Sequence, residues 1–128
     1  MKIAATIARY LLGLMFLVFG SNVFLNFIPM GQMPAGLAGQ FMTALMAAHY
    51  FYVVGAIMVI SAILFLVNRY VGLGLTLLAP VLFNILVFHL LMNPSGIWTG
   101  AFATLLWLLV AWEHRIVFAR LCAARLEE

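Results

Sequence analysis

Two histidines and a scatter of asparagines stand inside otherwise apolar sequence, and through them this chain could do chemistry. A neutral imidazole donates a hydrogen bond at one ring nitrogen and accepts at the other. In an apolar setting, His49 and His89 could therefore hold a quinone carbonyl, relay a proton or ligate a metal. Asn22 and Asn26 are four residues apart, as are His89 and Asn93, so each pair shares a helix face. Asn84 stands five residues before His89, about 140° around an ideal helix. The two can face one axis only if the helix bends between them. A structural reading competes. Each imidazole then bonds a neighbouring helix or faces interfacial water, and the asparagines fasten helices together.

Metal chemistry is disfavoured. His49 and His89 could serve as axial haem ligands, but no second histidine pair reinforces that reading. Met30, Met33, Met42, Met46 and Met92 offer soft thioethers for Cu(I), yet they form no tight Met-x-x-Met cluster around a histidine. Methionine is also an ordinary gap-filler. Cys122 is the single cysteine, so dithiol exchange within one chain is excluded. Trp112-Glu113-His114-Arg115 reads as an interfacial anchor, with proton uptake at Glu113 a weak second reading. No Gly-rich phosphate loop, Ser-His-Asp pattern or zinc spacing is present.

The elements that must position these groups are apolar runs at about 3–28, 41–67, 71–92 and 97–118. Each can cross a hydrocarbon core about 30 Å thick, which takes about 20 helical residues. Hydrophobic residues make up 68% of the 128-residue chain and charged residues 7%, against about 25% charged in a soluble domain. The fold class expected is all-α: a four-helix transmembrane bundle forming a single domain over 1–128. The apolar stretch at the start continues to Ile28, so it reads as a retained first helix rather than a cleaved signal.

The six basic residues are sorted by side. Lys2 and Arg9 open the first span, Arg69 lies between the second and third, and Arg115, Arg120 and Arg125 follow the fourth. The connections at 29–40 and 93–96 carry no charge. This positive-inside pattern predicts both termini in the cytoplasm. It also accounts for the net charge of +3 without a nucleic-acid partner.

Thr6, Gly13 and Gly20 recur every seven residues on the first span, and Ala48, Gly55 and Ala62 on the second. Two such small-residue seams predict close antiparallel packing. The neutral segment 29–40 reads as an interfacial loop, with a lid over the bundle as the alternative. Pro80 removes the amide that would bond the Thr76 carbonyl, so a kink is expected, with Thr76 filling part of the defect. Tyr10, Tyr70, Trp98 and Trp112 fall near the span ends, where amphipathic rings settle. The tail, 113–128, mixes arginine with apolar residues and is expected in the cytoplasmic interface.

Counting residues outward from the inner boundary gives a depth ruler. Asn22, Asn26, His49, Asn84, His89 and Asn93 all fall in the outer half. The inner half holds little besides Ser61 and Thr76. Polar groups at one depth, turned inward, are the pattern of an intramembrane site.

Two segments carry a family resemblance. IARYLLGLMFLVFGSNVFLNFIPM and LFLVNRYVGLGLTLLAPVLFNILVFHLLMNPSG resemble the DoxX-like small membrane proteins, over about Ile7 to Trp112. The most specific parts are the Arg9-to-Gly20 opening, the FIPM turn and the AP-x-x-x-N-x-x-x-x-H-x-x-x-x-P stretch from Ala79 to Pro94. The resemblance implies a multi-pass protein of the bacterial inner membrane. It also implies a loose association with redox functions, since relatives include subunits of thiosulfate:quinone oxidoreductases. Relatives often carry a Lys and a Glu in the middle of the second span. Here Val53 to Met58 has no ionisable group, so a function that needs that pair does not carry over.

Residues and resemblance together set the functional expectation. A hydrophobic redox ligand, a quinone, would bind in the outer half, making the chain an accessory or ligand-binding subunit of a redox partner protein rather than a self-sufficient enzyme. His49 and His89 would bond its carbonyls, Asn22, Asn26 and Asn84 would orient it, and Phe88 or Trp98 would pack its ring. The alternative is a non-catalytic scaffold or a homo-oligomer-forming subunit, surrounded by membrane lipid, whose polar layer is structural.

Overall fold

The computed structural model describes residues 2–29 and 31–125. The chain forms α1 (Lys2–Leu25), α2 (Leu37–Ala47), α3 (Tyr50–Val67), α4 (Val71–Leu91), a 3₁₀ turn (Pro94–Gly96), α5 (Ile97–Glu113) and α6 (Arg115–Leu121). Among the described residues, α1, α3, α4 and α5 with its leading turn are long and apolar enough to cross a membrane. The shortest, α3, has 18 residues, or about 27 Å of helix.

These four helices form a ring in which α1 packs on α3, α3 on α4, α4 on α5 and α5 back on α1. The glycines show how closely neighbours approach. A Cβ on Gly13 would lie 2.9 Å from the Leu66 side chain, and one on Gly20 would lie 2.9 Å from Val59 and 3.1 Å from the Gly55 carbonyl. As α1 advances, α3 recedes, so the two run antiparallel. Gly13, Gly20, Gly55 and Ala62 therefore form the expected seam. Its outer members do not join it: Thr6 is exposed and its hydroxyl bonds the Lys2 carbonyl, while Ala48 is exposed at the end of α2. The core at the bundle axis is Leu12, Phe16, Phe65, Leu75, Leu78 and Val110, each at most 2% exposed.

Left-handed residues set several boundaries. Asn26 (φ 51°) follows α1, and Asn68 (φ 54°) follows α3 with its amide donating to the carbonyls of Leu64 and Phe65. Asparagine tolerates this region better than most residues, which suits it to end helices. The turn to α4 then uses Tyr70, also left-handed (φ 55°).

His49 (φ 58°) marks the largest departure from the sequence reading. The run 41–67 is not one helix. It divides at Ala48–His49 into α2, which begins within the segment expected as a loop, and the spanning α3. The last run divides likewise at His114, whose backbone is non-helical (φ −106°, ψ 22°). Its end, α6, folds onto the bundle: Val117 covers Gly72, and Phe118 lies 5.6 Å from the Trp107 ring. α4 is helical without interruption across Pro80. The Thr76 hydroxyl does not repair the proline defect, because it donates to the Gly72 carbonyl at 2.8 Å.

Candidate functional site

The polar groups expected in the outer half are largely held by their own chain. The Asn22 carboxamide brackets Ile28: its Oδ1 accepts from the Ile28 amide at 2.7 Å, and its Nδ2 faces the Ile28 carbonyl at 3.4 Å. The Asn26 amide donates to the Asn22 carbonyl at 2.9 Å. These two residues terminate α1 and turn the chain toward Pro29. Both amides were expected to orient a ligand. Their four-residue spacing serves this turn, and Asn26 is exposed.

Asn84 lies on the outside of the bundle. Its Nδ2 donates to the Pro80 carbonyl at 2.7 Å, and the residue is exposed. Leu73, Thr76, Pro80 and Asn84 follow at three- and four-residue steps, all exposed, so they form one outward stripe.

His89 is half-buried. Its Nδ1 lies 3.0 Å from the Asn93 carbonyl oxygen. A carbonyl only accepts, so Nδ1 carries the hydrogen and the neutral ring presents an unprotonated Nε2. The ring rests on Gly96, where an added Cβ would come within 2.6 Å of Cε1. Asn93 itself is tied down, its Oδ1 accepting from the Ser95 hydroxyl at 2.9 Å. The expected role of His89 as a donor to a quinone carbonyl does not fit this tautomer. With Nδ1 donating to Asn93, the Nε2 of the neutral ring can only accept, as it would from a hydroxyl.

Phe88 is the one expected ring-packing residue that sits in an aromatic group. It stacks on Phe41 of α2 at 5.6 Å and meets the His89 ring edge at 5.1 Å. Trp98 is 79% exposed. His49 belongs to a separate exposed ladder, stacked 5.6 Å from Tyr52, which stacks 5.5 Å from Phe24. The two histidines thus occupy different aromatic groups. Of two surface clefts, one of about 560 Å³ lies beside Met33, Gln40 and Ala47, and one of about 370 Å³ lies beside Ser21, Val59 and Phe24, the far end of the His49 ladder. Neither is lined by a histidine. Among the described residues no three potential metal ligands gather.

No family model, curated protein or solved structure matches the chain.

Three polar residues to which the sequence reading gave no role inside the bundle are buried or bonded there. Arg9 is 7% exposed, and its guanidinium donates to the Phe65 carbonyl in the last turn of α3. A cation is favoured at a helix C-terminus, where unpaired carbonyls gather. Trp107 Nε1 donates to the Leu75 carbonyl at 3.0 Å, tying α5 to α4. The Ser61 hydroxyl is fully buried without a partner. Only Arg9 left a signal in the sequence. It stands seven residues beyond Lys2, about 10 Å further along the helix, too deep to be only an end anchor.

Proposed function

We propose that this chain is a multi-pass protein of the bacterial inner membrane, DoxX-like in kind, with both termini cytoplasmic. It acts as a non-catalytic subunit that self-associates through the outward face of α4. The single observation that carries this reading is the placement of Asn84. Its carboxamide is exposed on an apolar helix, seven residues short of the outer end, or about 10 Å. Nδ2 is held by Pro80, which leaves Oδ1 and one N–H without a partner in hydrocarbon. A second copy meeting this face supplies the same groups in return, an isologous pairing that satisfies both amides. Thr76 and Pro80, in the same stripe, have little bulk to hold the copies apart. The resemblance to DoxX-like proteins supports the localisation, and the one-sided basic residues support the orientation.

Self-association is measured by energy transfer between labelled copies in nanodiscs or detergent. Wild type should associate, and Asn84→Leu should weaken association about 3- to 20-fold, the range of one interhelical polar contact. A wild type that stays monomeric at every concentration overturns the reading.

A second reading, a hydrophobic redox ligand, is favoured by Phe41, Phe88 and the free Nε2 of His89. Because Nε2 accepts, the fitting partner is the hydroxyl of a reduced quinol. Solvent extraction and mass analysis of the purified protein separates the readings. Stoichiometric quinone or quinol supports the second, and phospholipid alone supports the first.

A further inference from the structure

The end of the bundle carrying Arg9 is built differently from the outer layer. Arg9 sits between α1 and α3, and its guanidinium carbon lies 4.4 Å from the centroid of the Tyr10 ring. Burying a cation is costly unless it is paired and hydrogen-bonded. The partner the bundle supplies is one backbone carbonyl, that of Phe65. A guanidinium has five N–H donors. Among the described residues, the Ser61 hydroxyl is the only side-chain polar atom both sealed from solvent and unbonded. The remaining nitrogens of Arg9 are therefore not fully sealed, although the residue as a whole is 7% exposed.

The charge is also incompletely balanced. The α3 C-terminus offers about half a negative charge, and the α4 N-terminus beside it offers about half a positive one. No side chain caps that N-terminus. Arg69 lies in the exposed turn between the two helices, and Lys2 lies two turns before Arg9 on the same helix. Arg115 is engaged with Trp112, donating to its carbonyl at 2.9 Å. Glu113 is the acid on the last turn of α5, while Arg9 bonds a carbonyl rather than a carboxylate.

We infer that Arg9 is the recognition group of an anion site that takes the phosphate of an acidic phospholipid from the leaflet at this end of the bundle. Arg9 supplies a planar pair of donors suited to a phosphate. Arg69 and Lys2 supply the surrounding field, which favours net-negative headgroups over zwitterionic ones. The apolar flanks of α1 and α3 accept the acyl chains. The buried position of the cation, at the edge of its access to the surface, favours a lipid over a soluble anion, since only the lipid arrives at that depth with its chains already in hydrocarbon. This site is independent of the self-association through α4.

The test measures the unfolding midpoint of the full chain in a neutral detergent with phosphatidylglycerol, phosphatidylcholine or inorganic phosphate added. Phosphatidylglycerol should raise the midpoint at concentrations about tenfold lower than phosphatidylcholine, and inorganic phosphate should do little. Arg9→Gln should abolish the preference, while Arg120→Gln, on α6, should keep it. If Arg9→Gln does not fold, Arg9→Lys decides. It retains the charge but loses the fork, and should weaken the phosphatidylglycerol response about fivefold or more. An unchanged preference in whichever Arg9 variant folds overturns the site. No preference in wild type does the same. Equal stabilisation by inorganic phosphate overturns the lipid as its source.

Discussion

The Nδ1 of His89 lies 3.0 Å from the carbonyl oxygen of Asn93, so a histidine in the last turn of α4 is tied to the turn that leads into α5. Replacing His89 by Leu removes that bond and should lower stability by about 1 kcal/mol, read from unfolding in detergent. Gly96→Ala should act in the same direction, because the ring has no room for a Cβ there. The same variant tests the redox-ligand reading. If a quinol binds here, His89→Leu should weaken it about 5- to 100-fold, and Glu113→Gln should leave it unchanged. Equal titrations of wild type and His89→Leu would remove that reading.

The left-handed backbone of His49 offers a cleaner separation of fold from ligand. Glycine adopts that conformation without the penalty that an L side chain meets. His49→Gly should therefore keep the unfolding midpoint or raise it, although the stacking on Tyr52 is lost. A marked loss of stability would mean that the aromatic ladder, not the backbone, holds the junction of α2 and α3.

Packing between α1 and α3 makes a third expectation. Gly20→Val inserts a branched side chain where even a Cβ would lie 2.9 Å from Val59 and 3.0 Å from the Met58 Cβ. Overpacking of this kind costs about 1–3 kcal/mol. Gly31→Ala meets nothing within 4 Å and should be silent. Equal midpoints for the two variants would contradict the seam.

Orientation is checked with reporter fusions, one after residue 125 and one within 31–36. They should report opposite sides of the membrane, with the first in the cytoplasm. The same side for both is incompatible with an even number of crossings.

The sequence made the spanning helices legible because hydrocarbon admits few alternatives: a long apolar run must satisfy its backbone internally. The seam at Gly13, Gly20 and Gly55 was legible for a similar reason, since only small residues allow that approach. The break at His49 was not. The run 41–67 holds one glycine and no proline, and a left-handed histidine leaves no compositional trace. The spacing behind the expected outer site has two meanings. Residues four apart share a helix face, but four is also the step from a side chain to a carbonyl one turn away. His89 with Asn93 and Asn84 with Pro80 use it in the second sense. The burial of Arg9 was overlooked although its distance from Lys2 pointed to it, because a topology signal and a buried cation look alike in a string of letters.

The contact of Val117 with Gly72 has a consequence for biosynthesis. Gly72 opens α4, yet the side chain that covers it belongs to α6, which leaves the ribosome only after α5 has been made. Until then the start of α4 and the rim of Trp107 stay bare. Closure of this end is therefore a late event, performed after the crossings are in place. A stop codon just after Glu113 should yield a protein with all of its spans that is nonetheless open at its base and quickly cleared by membrane proteases.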